Sequence, residues 1–265
     1  MDLGLAGKSV IVTGGASNIG RAIVLTYAQE QANITLADLD VNQGEQVAAL
    51  ALEAGAQSVQ VVKTDVTELV DVERMVGQAV DCYGGVDVLV NNVGWDQLQY
   101  FSETGPEFWQ KIIQVNFVGM LNCTKTVLEP MVKNKGGAII SISSDASRQG
   151  EAREAVYGGM KAATNSLMKS IAKENGRYGI RCNCVCPGVT VPDTDEEMSE
   201  NSMWQDKSAM FTDEQFGKIA KSLPLKRLGK GQDIANAVVF LSSEKAAGYV
   251  TGQVLSVSGG YTMIG

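Results

Sequence analysis

A doubly wound α/β fold, with helices on both faces of a seven-stranded parallel sheet, is the architecture this sequence predicts, and three observations carry it. Short runs rich in valine and isoleucine alternate with amphipathic stretches of helical length from one end of the chain to the other. The central runs are almost wholly apolar, as strands covered on both faces are. The first run opens into a turn of small residues, Thr13-Gly14-Gly15-Ala16-Ser17-Asn18-Ile19-Gly20, just ahead of the first helical stretch.

The strands are expected at Ser9–Thr13, Asn33–Asp38, Ser58–Lys63, Val86–Asn91, Ala138–Ser143, Arg181–Cys186 and Gln253–Val257. Between them, helical spacing predicts Ile19–Gln31, Val41–Ala54, Leu69–Tyr83, Glu107–Lys133 with a break near Asn116, Ala155–Arg177 and Asp233–Leu241. Pro106 suits a first helical turn, Gly84-Gly85 a helix end, and Thr67 or Asp71 the cap of the third helix. No linker, repeat or low-complexity tract divides the 265 residues, so a single domain, 1–265, is expected. Residues 190–222 break the rhythm. They are acidic, yet carry Met198, Met203, Trp204, Met210, Phe211 and Phe216, which predicts a partly helical lid in preference to a disordered loop.

Composition narrows the function. Hydrophobic residues make up 45% of the chain, ample for a large core, and no apolar run is long enough to cross a bilayer. The start of the chain lacks the pattern of a signal peptide, so a cytoplasmic protein is expected. The net charge of −8 argues against nucleic acid or an anionic membrane as a partner. Most of that imbalance sits between Thr190 and Phe216, where eight carboxylates face one lysine, Lys207. Of the five cysteines, Cys182, Cys184 and Cys186 alternate along one strand. Their Cα spacing of about 6.5–7 Å is too strained for a disulfide, and the pattern is wrong for zinc, so reduced thiols packed as small apolar groups and no metal are expected.

The turn after the first strand brings backbone N–H groups to a helix N-terminus, a site for a pyrophosphate. Asp38 closes the second strand, eighteen residues beyond Gly20, where a carboxylate accepts hydrogen bonds from the hydroxyls of an adenosine ribose. It also repels a 2′-phosphate, and no Arg or Lys lies in 14–20 or directly after Asp38 to compensate. NAD is therefore expected in preference to NADP. The chain has no histidine, so a proton must move through another group. Tyr157 and Lys161 stand four apart on one helix face, and Ser144 lies thirteen residues before the tyrosine. Taken alone, Tyr-x3-Lys is most often an ordinary surface pair. With the nucleotide turn in the same chain, it reads as a phenol brought toward neutrality by a nearby ammonium.

Together these residues resemble the short-chain dehydrogenase/reductase family over essentially the whole chain, which implies a Rossmann-type sheet. The family's glycine loop is matched by Gly14, Asn18, Ile19 and Gly20, with Ser17 and Leu39 beside the cofactor, and its adenine-side pair by Asp65-Val66. Its Asn-Asn-x-Gly is matched by Asn91-Asn92-Val93-Gly94, its catalytic four by Asn116, Ser144, Tyr157 and Lys161, and its nicotinamide turn by Pro187-Gly188. Three positions depart. Asn18 replaces a glycine or alanine, Val93 an alanine, and Pro192 a threonine whose carboxamide contact falls to Thr190 or Thr194. The thirteen-residue spacing selects Ser144 over Ser143.

The resemblance implies that Tyr157 exchanges the substrate proton, Ser144 holds its oxygen, Lys161 favours the phenolate and binds ribose, and Asn116 positions a water relay. Asn91–Asp96, Ser144-Asp145-Ala146 and the ending from Thr251 look most like 2-hydroxycyclohexanecarboxyl-CoA dehydrogenases. Trp95, Leu98, Tyr100 and Phe101, with Asp145 and with Met203, Trp204, Met210 and Phe211 of the lid, predict an apolar pocket for a ring or bulky chain. The acidic lid ranks a neutral aromatic or alicyclic alcohol or ketone above a hydroxyacyl-CoA. A non-catalytic NAD-binding protein is the reading from another class, and a hydrolase is weaker still without histidine. A homotetramer is the family expectation, through the helices around Asn116–Lys133 and Ala155–Arg177 and the C-terminal strand.

Overall fold

The computed structural model describes residues 2–194, 197, 198, 202, 204 and 211–264. All seven strands form: β1 Ser9–Thr13, β2 Asn33–Asp38, β3 Ser58–Lys63, β4 Val88–Asn91, β5 Gly137–Ile142, β6 Ile180–Pro187 and β7 Val254–Val257. They build one sheet in the order β3-β2-β1-β4-β5-β6-β7, every neighbouring pair parallel. Such pairs need long crossovers, and helices supply them. Successive β1 residues explain the unbroken apolar runs. Val10 and Val12 enter a core with Ile23, Tyr27 and Leu36, whereas Ile11 points to the opposite face and packs with Met75, Leu89 and Val127.

The helices between them are α1 Asn18–Gln29, α2 Val41–Ala54, α3 Leu69–Tyr83, α4 Pro106–Ile113, α5 Gly119–Asn134, the short α6 Ala146–Gln149 and α7 Ala155–Asn175, followed by helices at Asp213–Ser222, Gly231–Ser242 and Glu244–Ala247. α2 and α3 keep their expected limits. Asp40 caps α2 by accepting the Gln43 N–H, and Gly84 ends α3 in left-handed backbone at φ 79°. The cap of α3 differs from expectation. Glu68 occupies that position, while Thr67 Oγ1 donates to Asp65 and the Asp71 carboxylate accepts the Asp65 N–H at 3.0 Å, so both candidate caps organise the turn instead.

The expected break near Asn116 is a single π turn, Gln114–Val118, joining α4 to α5. β4 starts two residues later than expected because Asp87 turns its carboxylate to Lys8 and the Ser9 N–H. In the 190–222 segment, the helix Asp213–Ser222 begins with a capping box between Thr212 and Gln215. Met203 and Met210 lie outside the described residues. Among the described residues no helix is long and apolar enough to cross a membrane.

The sheet order places β1 beside β4, where the winding reverses. In open parallel sheets, ligands bind in the crevice outside the strand C-termini at this switch point. Thr13 and Asn91 end the two strands there, and the candidate site begins with them.

Candidate active site

The turn after β1 is shaped by what glycine lacks. Gly14 takes φ +65°, and a Cβ on Gly20 would lie 1.9 Å from the Gly14 carbonyl oxygen. Asn18 sits at φ 39°, a left-handed conformation that asparagine tolerates better than most residues, so the substitution leaves the turn intact. Asn92, the residue after β4, locks it by donating through Nδ2 to the Thr13 and Gly14 carbonyls, both at 3.0 Å. Its neighbour Asn91 points into the sheet and donates to Thr124 and Ser141.

Every residue expected on the adenosine and pyrophosphate side lines one cleft of about 320 Å³, from Gly14, Ser17, Asn18, Ile19 and Gly20 through Asp38 and Leu39 to Asp65, Val66, Asn92 and Gly94. Asp38 Oδ2 accepts the Ala16 N–H at 2.9 Å and Oδ1 the Asp40 N–H at 3.0 Å. These bonds aim the carboxylate at the cleft, and burial pushes its pKa up despite them. Thr64 and Val115 join the same wall; neither carries a sequence signal, since only the fold brings them there.

A second cavity, of about 490 Å³, adjoins the cleft and shares Ile19, Asn92, Gly94 and Trp204 with it. Ser144, Tyr157 and Lys161 line it together. Two local features bring them there. Ser144 leaves the end of β5, and Gly158 lets α7 approach so closely that a Cβ would meet the Ala146 carbonyl at 3.0 Å. Ser144 Oγ accepts the Ala146 N–H at 3.1 Å, and Ser144 acts on the Tyr157 phenol by drawing its pKa down against the effect of burial. Lys161 Nζ donates to the Ile142 carbonyl at 3.0 Å and stands 5.4 Å from the centre of the Tyr157 ring. Ser143 lies deeper, donating to the Lys161 carbonyl. Asn116 spends its side chain on scaffolding: Oδ1 accepts the Trp95 N–H, while Nδ2 donates to the Trp95 and Ile112 carbonyls.

Opposite this group, Pro187, Gly188 and Thr190 line the cavity. Thr190 is buried and donates to the Gly188 carbonyl at 3.1 Å, whereas Thr194 is exposed, so Thr190 is the better placed of the two. Asp145, Trp204 and Phe211 also reach the wall, and Trp204 packs against Phe216 at 6.5 Å. Trp95 does not. Its ring packs edge-on to Phe108 with Lys111 3.5 Å from its centre, because Asn116 fixes its backbone with the side chain outward. Tyr100 and Phe101 are exposed.

The electrostatics differ from the expected lowering of the phenol. Burial pushes Tyr157 well above the usual tyrosine range, and Glu154 and Asp96 push it further in the same direction. Burial brings Lys161 down to about 8, so near neutrality it still holds most of its charge. Asp96 and Glu154 are themselves raised by burial, to about 6 and about 7. Neither was expected at the site. Glu154 lies one helical turn before Tyr157, a spacing that could have revealed it, whereas Ile219 and Tyr261 arrive only through tertiary contact.

Comparison with known proteins agrees with this geometry. Residues 14–262 match a family model described as enoyl-(acyl carrier protein) reductase. The chain is 34% identical over 258 residues to an uncharacterized oxidoreductase of Thermotoga maritima, covering 97% of this chain and 98% of that protein. The chain belongs to the short-chain dehydrogenase/reductase family. It is an oxidoreductase of that family, similar also to a 3-oxoacyl-[acyl-carrier-protein] reductase of Staphylococcus epidermidis, 34% identical with coverage of 97% and 99%. An acetoacetyl-CoA reductase of Synechocystis is 33% identical, with coverage of 98% and 99%. Among family structures, a 7α-hydroxysteroid dehydrogenase complexed with NADH and 7-oxo glycochenodeoxycholic acid superimposes with a TM-score of 0.88 at 30% identity, covering 98% of this chain and 96% of that one.

Proposed function

We propose that the protein is an NAD-dependent dehydrogenase/ketoreductase, one domain over residues 1–265, that interconverts a secondary alcohol and its ketone on an aromatic or alicyclic substrate. The observation that carries this reading is the convergence of Ser144, Tyr157 and Lys161 on one cavity wall, in a cleft that continues past Gly94 to Asp38. The residues present fit a dinucleotide. The absent Cβ of Gly20 leaves the turn tight and its N–H groups close to the cleft, and Asp38 presents a buried carboxylate at the strand end. Among the described residues, Arg21 at the start of α1 is held by Glu197 at 3.1 Å and so is not free for a 2′-phosphate. A bound nicotinamide supplies the acceptor or donor of hydride.

The chain's own residues handle the proton. Ser144 hydrogen-bonds the substrate oxygen, and Tyr157 gives its phenolic proton to that oxygen during ketone reduction or takes it during alcohol oxidation. Lys161, fixed by the Ile142 carbonyl, places positive charge below the phenol and holds the ribose. Asn116 keeps the Trp95 backbone in place, so a water relay at this residue runs past its main chain. The cavity volume lies in the range of small-molecule sites, and Leu98, Trp204 and Phe211 give it apolar walls for a ring. A homotetramer in the cytoplasm completes the reading.

A second reading is a hydroxyacyl-thioester dehydrogenase, of the 2-hydroxycyclohexanecarboxyl-CoA kind, favoured by similarity to two thioester reductases. The acidic cavity wall, with Glu151 and Glu154, disfavours it. Following NADH absorbance with 1-arylethanols, cyclic alcohols and a cyclic β-hydroxyacyl-CoA decides between them. Turnover of the free alcohols is expected. A large preference for the thioester overturns the order, and no NADH from any alcohol refutes the dehydrogenase reading.

A further inference from the structure

One wall of the substrate cavity is more acidic than the chemistry above requires. Asp96, which follows β4, and Glu154, at the head of α7, meet there because two loops are stitched together: the Gln99 N–H donates to the Arg153 carbonyl at 3.1 Å, and the Arg153 guanidinium donates to the Leu98 carbonyl at 3.0 Å. Asp96 is only 7% exposed, and one of its carboxylate oxygens, Oδ2, has no hydrogen-bond partner. A buried carboxylate in that state is costly unless a cation or donor reaches it. Two cations that line the cavity spend their hydrogen bonds elsewhere. Lys161 donates to the Ile142 carbonyl, and Arg153 to that of Leu98. Glu151, a third carboxylate on the wall, already accepts the Tyr261 hydroxyl. Burial raises both Asp96 and Glu154, and Asp96 raises Glu154 further; the Lys161 charge pulls Asp96 down, but burial outweighs it.

We infer that this wall is a cation subsite, in which Asp96, with Glu154 beside it, receives a protonated amine carried by the alcohol or ketone substrate. The inference rests on the dehydrogenase reading for the reacting end of that substrate. Glu154 precedes Tyr157 by one helical turn, a rise of about 5 Å, so the amine stands within about one to three carbons of the carbinol. The same carboxylates repel a substrate with a carboxylate at that position. A neutral hydroxyl in its place gains a hydrogen bond without the charge.

Four ligands of nearly equal size separate these possibilities: 2-amino-1-phenylethanol, 1-phenylethane-1,2-diol, 1-phenylpropan-1-ol and mandelate. Their binding to the full chain is measured by calorimetry, with and without NADH, and their oxidation by NADH formation. The amine is expected to bind at least about tenfold more tightly than the propanol, a difference of about 1.4 kcal/mol, and mandelate to bind most weakly. Asp96→Asn should bring the amine and the propanol to within about threefold of one another. Should that variant fail to fold, Glu154→Gln should narrow the same ratio, which is internal to each protein. An amine that binds no better than the diol or the propanol overturns the inference, as does a preference that survives in both variants. Amine selectivity without NADH formation from any ligand would leave the subsite standing and remove the dehydrogenase reading. Oxidation of the propanol without amine selectivity would do the reverse.

Discussion

Replacing Asp38 by asparagine tests the dinucleotide assignment at a single atom. In the wild type the two carboxylate oxygens accept separate N–H groups, from Ala16 at 2.9 Å and Asp40 at 3.0 Å. The carboxamide offers one acceptor, so one of those N–H groups then faces an NH2, at a stability cost of about 1 kcal/mol that is partly offset by no longer burying a charge. Hydrogen bonds from ribose hydroxyls to a neutral group are weaker than to a carboxylate by about 1 kcal/mol. The larger change concerns a 2′-phosphate. Like charges about 4 Å apart repel by up to about 4 kcal/mol at an effective dielectric near 20, and solvent at the cleft mouth leaves roughly half of that. The two effects together move selectivity by about 3 kcal/mol, so the ratio of NADPH to NADH dissociation constants should fall by roughly 150-fold. Fluorescence titration of both nucleotides against wild type and variant measures it. A ratio that moves by less than about threefold would show that Asp38 does not face the ribose, and the NAD assignment would fall with it.

Tyr157→Phe should keep NADH affinity while lowering turnover by about 10²–10⁴, the range for losing a general acid or base; stopped-flow and steady-state rates check it. Gly20→Ala should weaken NADH binding and lower the melting temperature, because the new methyl group meets the Gly14 carbonyl at 1.9 Å and forces the turn open at a cost of about 1–3 kcal/mol. Asp96→Asn should stabilise the ligand-free protein in a pH-dependent way. Its folded pKa is raised from 3.8 to about 6, so the favourable contribution is present at low pH and is lost as pH rises through that interval, a loss of about 3 kcal/mol. Melting curves should therefore nearly coincide at pH 4 and separate by several degrees at pH 7.5, the variant being the more stable; coincidence at both would refute the burial of that charge.

The sheet was legible because burial on both faces leaves a simple record in sequence. β1, β2 and β3 have the predicted limits, since each apolar run is bounded by a charged or turn-forming residue. The nucleotide turn and the Tyr157–Lys161 pair were equally legible, being fixed by spacing along single elements, while Ser144, which follows β5, was selected by the family's thirteen-residue spacing. What spacing does not reveal is direction. Trp95 reads as a pocket aromatic, yet the side chain of Asn116, twenty-one residues away, holds its backbone so that the ring packs on Phe108. The phenol's environment was illegible for a similar reason. Tyr157 and Lys161 share a helix face, but Asp96 comes from the segment after β4 and Glu154 faces the cavity only once α7 has docked.

These two carboxylates link substrate choice to proton transfer. Burial holds the phenol protonated, and Glu154 and Asp96 when charged reinforce it, which suits it to donate a proton to a ketone and makes alcohol oxidation wait for higher pH. An ammonium on the substrate would cancel part of that negative field. At an effective dielectric near 20, a unit charge about 8 Å away contributes roughly 2 kcal/mol, so neutralising one carboxylate lowers the phenol by about 1.5 pH units. The alkaline rise in the oxidation rate should accordingly begin about 1.5 pH units lower for 2-amino-1-phenylethanol than for 1-phenylpropan-1-ol, and the gap should close in Asp96→Asn. Lys161 on the cavity wall and the buried Cys186 also act on these groups, but they are the same for both substrates and cancel in the comparison. Superimposable pH profiles for the two alcohols would separate recognition of the substrate from the ionisation of Tyr157, and the carboxylates would then act on binding alone.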